Sequence, residues 1–427
     1  MEINHKTAAI LVMGIGVIVA GAYGLGKKQG ETGELAVNAV ATAPSGADAA
    51  IPASGQPAVE PGAVPPADAA HAGLPPVQGP EGKAVEEDGA RFTHFRVGNK
   101  NVKAMYTEGN VLWVATSGGV LRYDTASDNY KLYDVTSGLL SNGVFYVGRV
   151  GGRLAAGTYG GGLSLLDERT GKWTNYNIPQ GLGDAFVYDV LQTRDGDIWI
   201  ATWSGVNRVR GGALDDRSKW ELHTVESTKG GLPNDWVYGL AEGKNGELWL
   251  ATEGGLARFA KGKWQNWNHA KGLGAPYEKV KKDIAFNNDP SKQSSHHAMQ
   301  KQEMGLSNVD VAYNPNYIIA LEVDNDGVVW AGTWGGGLAR FDGTKWTNFT
   351  TVEGLPGNHV FMLHKDPKGR IWIGTNNGVT WQEGGRFKVM TTADGLFSNT
   401  VFSMVTGPDG SLWMGSFGGV AHIHPTK

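Results

Sequence analysis

Residues 329–375 read VWAGTWGGGLARFDGTKWTNFTTVEGLPGNHVFMLHKDPKGRIWIGT, one full period of a repeat and the start of the next. An apolar residue, Trp, an apolar residue, Gly or Ala, and Thr lead into a glycine cluster, and the same run returns as IWIGTNNG from Ile371. Working outward, further copies are LWVATSGG from Leu112, LAAGTYGGG from Leu154, IWIATWSG from Ile198, LWLATEGG from Leu248 and LWMGSFGG from Leu412. The total is seven, with Trp113, Ala155, Trp199, Trp249, Trp330, Trp372 and Trp413 at one equivalent position, separated by 42, 44, 50, 81, 42 and 41 residues. A fixed period of this size marks a repeat architecture, in which a single unit cannot bury its apolar face alone.

Each unit parses into four short antiparallel strands. The first follows a GL-P/S-N turn, as in GLPGNHVF from Gly354; the Trp strand comes next, and the glycine cluster turns it into a third strand such as GLARFD. The fourth opens on an aromatic residue three positions ahead of a second large one: Tyr130/Tyr133, Trp173/Tyr176, Trp220/His223, Trp264/Trp267, Trp346/Phe349 and Phe387/Met390. These are six pairs for seven units. The seventh, Phe92/Phe95, precedes the first unit, while the last unit stops after its third strand, VAHIH. The beginning of the folded part is therefore expected to supply the outer strand of the final unit and close a ring. This describes an all-β, seven-bladed β-propeller over 91–427, whose closure removes the edges an open sheet would expose.

Composition agrees: 64 Gly accompany 15 Trp, 13 Tyr and 13 Phe, as expected of many turns between aromatic-rich strands. The absence of cysteine excludes a disulfide scaffold, a thiolate zinc site, a cysteine nucleophile and c-type haem. A net charge of −4 gives no reason to expect nucleic acid. After a short tail at 1–6, residues 7–26 form a run of twenty without a charge, long enough to span a bilayer and read as an uncleaved transmembrane signal anchor. Lys6 lies on one side of it and Lys27 and Lys28 on the other, so charge alone does not orient it. Residues 27–90, rich in Ala, Pro and Gly, bury too little apolar surface to fold and are expected to be a disordered tether.

The motifs GL-P/S-N-x-V, x-DG-x-LW-I-G/A-T and GGG-L-x-R-F-D resemble the two-component regulator propeller repeat, and the resemblance extends over 91–427. It implies a bacterial, extracytoplasmic sensing module, typically followed by a further β-domain and a kinase. This sequence departs from that plan, with one ring and nothing after Lys427. Any kinase output is then expected from a separate signalling or envelope protein. The resemblance favours inner-membrane anchoring with a periplasmic ring.

Function is expected on loops at one face, held by a rigid scaffold. Just after the Thr or Ser of each glycine turn stand Ser117, Tyr159, Trp203, Glu253, Trp334, Asn376 and Phe417; just before each first strand stand Asn101, Gly143, Phe186, Trp236, Tyr317, His359 and Thr400. Aromatic residues there suit a small molecule, a glycan or a protein partner, against the alternative that each ring only covers its neighbouring blade. Asn142, Asp235, Asn316, Asn358 and Asn399 are read as turn caps. The insertion at 272–315 enters the same face and carries His296, His297, Met299 and Met304, soft ligands suited to copper. His94, His422 and His424 form a second histidine set at the expected ring seam.

The leading expectation is a membrane-tethered binding or sensing module that performs no chemistry and needs no cofactor. Two alternatives stand beside it: a lyase or hydrolase at the ring mouth drawing on His359, His364, Asp235 or Glu253, and metal handling through the histidine and methionine sets.

Overall fold

Within each repeat the apolar residues of the Trp strand are buried on both faces, and turn residues bound every strand, so the unit folds as an antiparallel sheet. In the computed structural model, residues 85–87, 90–284, 302 and 312–424 are described. The expected anchor and nearly all of the tether lie outside the described residues, as do His296, His297, Met299 and Met304. All described strands belong to one of the two units into which the chain divides, 53–285 with 313–427. Among the described residues no helix is long and apolar enough to cross a membrane.

Five sheets have four strands each, in sequential order. One is Val360–Lys365, Ile371–Thr375, Gly378–Glu383 and Arg386–Met390. A sixth sheet has seven strands: six of them make two units because two serve twice, and the short strand Val85–Glu87 pairs with the start of Ala90–Glu108. In Ala90–Glu108, residues 91–96 pair antiparallel with 424–419, from Arg91 opposite His424 to Arg96 opposite Gly419, whereas 102–108 pair with Val111–Thr116. Leu412–His424 doubles back, since the Trp413 and His422 rings stack at 3.5 Å, whereas nine residues of straight strand would separate them by roughly 30 Å. The reversal is at Gly418, at φ +83°. This sheet therefore holds two units, giving seven in all, and the N-terminal strand completes the last of them as expected. The fold is a β-propeller.

The repeated residues build the packing. Six Trp and Ala155 of the second strands are buried. In four units an Arg of the third strand lies opposite that Trp and over its ring: Arg122 on Trp113 at 5.8 Å, Arg208 on Trp199 at 5.3 Å, Arg258 on Trp249 at 5.6 Å and Arg340 on Trp330 at 5.5 Å. The leucine of each GL turn, such as Leu232, Leu273 and Leu396, is fully buried. At one end of the inner strands polar pairs tie neighbours together: Arg149 to Glu108 at 2.6 Å, Arg194 to Glu242 at 3.1 Å and Lys365 to Glu322 at 3.7 Å.

Candidate functional site

The opposite end is organised by the glycine turns. In six units the Thr hydroxyl donates back across its turn, as Thr333 Oγ1 does to Gly337 O at 2.7 Å and Thr202 Oγ1 to Gly205 O at 2.8 Å. Gly337 sits at φ +76° with the fourth strand behind it, and a Cβ there would fall 2.1 Å from Phe349 O. Only glycine permits that approach. The turn then reaches the next blade: Gly205 N donates to Asp235 O at 2.7 Å and Gly337 N to Asn358 O at 2.9 Å. Asn142, Asp235, Asn316, Asn358 and Asn399 each accept from a backbone N–H of the turn that follows the preceding outer strand, at 2.6–3.0 Å, so these five are turn caps.

Between these turns and the axis, the first strands carry a feature the sequence reading missed. Their ladders shift register immediately after the leading Val or Ile, leaving one bulged residue per unit: Lys103, Phe145, Tyr188, Tyr238, Ile319, Phe361 and Phe402. Phe145 stacks on Tyr188 at 4.4 Å, Tyr188 meets Tyr238 at 4.9 Å, and Tyr238 meets Tyr317 at 4.9 Å. Tyr317 stacks on Trp334 at 5.4 Å, Trp334 meets Phe361 at 5.8 Å, and Phe361 meets Phe402 at 5.5 Å. The Lys103 ammonium lies 5.8 Å from both Phe402 and Phe145 and closes the circuit. These side chains touch in turn across all seven blades, with Tyr317 and Trp334 taking the place of the bulged Ile319 in the fifth, so they encircle the axis. The signal was present in the recurring Val-aromatic pair, but strict two-residue alternation assigns the bulged side chain to the wrong face.

The rim candidates divide by exposure. Trp203, Tyr317, Trp334, His359 and Glu253 are buried, whereas Tyr159, Phe186, Trp236, Asn376 and Phe417 are partly exposed. Phe186, Trp203 and Trp236 form one stack, at 4.3 and 5.0 Å, with Tyr159 edge-on to Phe186 at 4.5 Å. The blade-covering role weighed against ligand contact thus applies to Trp203 and Trp334. Glu253 accepts from Tyr238 Oη at 3.4 Å. Burial drives the phenols of Tyr188, Tyr238 and Tyr317 upward, and the Glu253 carboxylate adds to each shift. The mouth thus has aromatic walls, a cation on the first blade and a carboxylate on the fourth.

The candidate acids and bases are not assembled. Asp235 is spent as a cap, while His364 lies five residues beyond His359 along the strand direction, its Nε2 2.8 Å from Thr406 Oγ1 and its pKa lowered to about 4 by burial. The seam histidines are not a ligand set either. His94 pairs with Ala421, which places it on the opposite face from His422, and its Nε2 meets Gly395 O at 2.6 Å. His422 takes the position that Arg holds in four other repeats, stacked on Trp413, and burial with the neighbouring His424 lowers its pKa to about 3. Among the described residues no group of three His, Cys, Asp or Glu side chains suits a metal.

Five segments of the ring, 181–204, 231–254, 312–335, 354–377 and 395–418, match the family described as two component regulator propeller. Five of the seven units are thus two-component regulator propeller repeats. The regulator propeller is 38% identical over 65 residues to histidine kinase P4 of Formosa agariphila, a match covering 14% of this chain and 5% of that protein. Its fold is similar to the extracellular domain of a putative one-component system from B. thetaiotaomicron, at TM-score 0.55 and 16% identity, covering 78% of this chain and 39% of that one. It is also similar to virginiamycin B lyase from Staphylococcus aureus, at TM-score 0.54 and 10% identity, covering 79% and 99% of the two chains. The regulator propeller therefore spans only a small part of the kinase and about two fifths of the first of these solved relatives.

Proposed function

We propose that this protein is a membrane-tethered, extracytoplasmic sensing or scaffolding propeller whose ring mouth binds a small molecule, a glycan or a segment of another protein. The observation that carries the reading is the unbroken aromatic circuit closed by Lys103 at one end of the ring. Phe186 and Trp236 offer partly exposed rings for stacking, and Lys103 offers charge to an anionic group. Extracytoplasmic placement is supported by the repeat family together with the extracellular domain it resembles. The apolar run at 7–26 and the tract behind it supply the anchor and tether.

The test is a titration of the full chain with a panel of oligosaccharides, aromatic acids and extended peptides, read by tryptophan fluorescence. A ligand at the mouth quenches emission, and its affinity falls at least tenfold in Trp236→Ala and in Lys103→Met. Ligands whose binding is unchanged in both variants would place recognition elsewhere. Deleting 7–26 should release the protein from sedimented membranes; retention on them would remove the tether from the reading.

A further inference from the structure

Residues 261–282 hold six lysines and a single carboxylate, Glu278, inside a chain of net charge −4. Lys279 and Lys281 are engaged with Glu353 and Glu278. Lys263 and Lys271 instead line a groove of about 700 Å³ along the outermost strand of the fourth blade, Lys263–Trp267, where Lys229 joins them. A second groove of about 590 Å³ continues from it past Trp267 and Lys271 to Lys345 on the fifth blade. Neither lining includes a carboxylate.

The floor of the first groove is a strand edge. Lys271 Nζ donates to Asn266 O at 2.9 Å, so that carbonyl points away from the sheet. In an antiparallel ladder the N–H of the same residue points the same way, as do both backbone groups of Trp264 two positions earlier. The tryptophans already have ring neighbours: Trp264 lies 4.9 Å from Phe259 and 5.6 Å from His223, and Trp267 lies between Trp249 at 5.3 Å and Phe341 at 5.2 Å. What the groove offers is therefore positive charge beside a row of outward backbone groups, rather than open ring faces for sugars.

We propose that the outer edge of the fourth blade binds an acidic peptide in extended conformation, added as a fifth strand. Main-chain pairing at Trp264 and Asn266 gives affinity, the incoming strand's N–H replacing Lys271 Nζ at Asn266 O, and carboxylates on alternate residues meet Lys229, Lys263 and the released Lys271. The same lysines repel a second copy of this edge, so the site selects an acidic strand over self-association.

The full chain in neutral detergent is titrated with a fluorescein-labelled peptide alternating glutamate and threonine, read by anisotropy and by amide hydrogen exchange. Saturable binding is expected, with slowed exchange at the Trp264 and Asn266 amides. Lys229→Glu with Lys263→Glu, both at exposed positions, should weaken it about tenfold or more, equivalent to about 1.4 kcal/mol, with an unchanged melting temperature. The proposal is overturned if the peptide leaves both amides unprotected, if the double variant binds as tightly, or if a lysine-threonine peptide binds equally well. Polygalacturonate displacing the peptide, with no amide protection by either, would assign the groove to acidic polysaccharide instead.

Discussion

Trp334 and Trp236 both lie on the rim, but the structure gives them different work, and Trp334→Ala against Trp236→Ala separates the two. Trp334 is fully buried, stacked on Tyr317 at 5.4 Å and edge-on to His359 at 5.3 Å. A buried indole removes up to about 250 Å² from water, which at about 25 cal/mol per Å² gives an upper value of about 6 kcal/mol. Measured Trp→Ala losses run at about 3–5 kcal/mol because the cavity partly relaxes. Trp236 is partly exposed and stacks on Trp203 at 5.0 Å, an arrangement worth about 1 kcal/mol. For a chain of this size each kcal/mol moves the midpoint by about 2 °C. Trp334→Ala should therefore melt about 6–10 °C below the parent, and Trp236→Ala about 2 °C below it, with ligand capture lost mainly in the second. Thermal scans by circular dichroism at neutral pH, at one scan rate, provide the assay. A Trp334→Ala midpoint within 2 °C of the parent would show that the ring does not cement the fifth and sixth blades, and the division of the rim into packing and contact residues would fall.

Two further outcomes follow from the same geometry. Gly337→Ala should lower stability by about 2 kcal/mol or more, because it combines positive φ with a Cβ 2.1 Å from Phe349 O; denaturant unfolding that matches the parent would remove the steric reason for the glycine turn. His422, held near pKa 3 by burial, takes up protons in the unfolded chain below about pH 6.5 but not in the folded one, so its contribution to stability is lost as pH falls from about 6.5 toward 3. His422→Phe keeps a ring on Trp413 and should flatten that part of the melting curve against pH; an unaltered slope would contradict the buried, neutral histidine.

Much of the ring was legible before any coordinates. The missing seventh aromatic pair places 92–97 beside 420–424, and the register runs from Arg91 opposite His424 to Arg96 opposite Gly419. The five Asn and Asp turn caps were equally readable from their place in the repeat, although the N–H that Asn316 caps, on His269, lies 47 residues earlier across the insertion. The seam histidines were not: whether His94 shares a face with His422 depends on a one-residue choice of register, and the observed pairing with Ala421 turns it away. The bulged circuit from Lys103 to Phe402 escaped for a related reason, since a bulge breaks the two-residue alternation on which facing is judged.

The chain alone thus determined the number of units, the strand order and the residues that pack beneath each glycine turn, because period, turn chemistry and apolar alternation act over a few residues. Which rim side chains stay exposed, and how seven distant first strands bring Lys103 against Phe145 and Phe402, depended on the closed ring. Those contacts join positions up to about 300 residues apart, and only the angle between neighbouring sheets sets their distance.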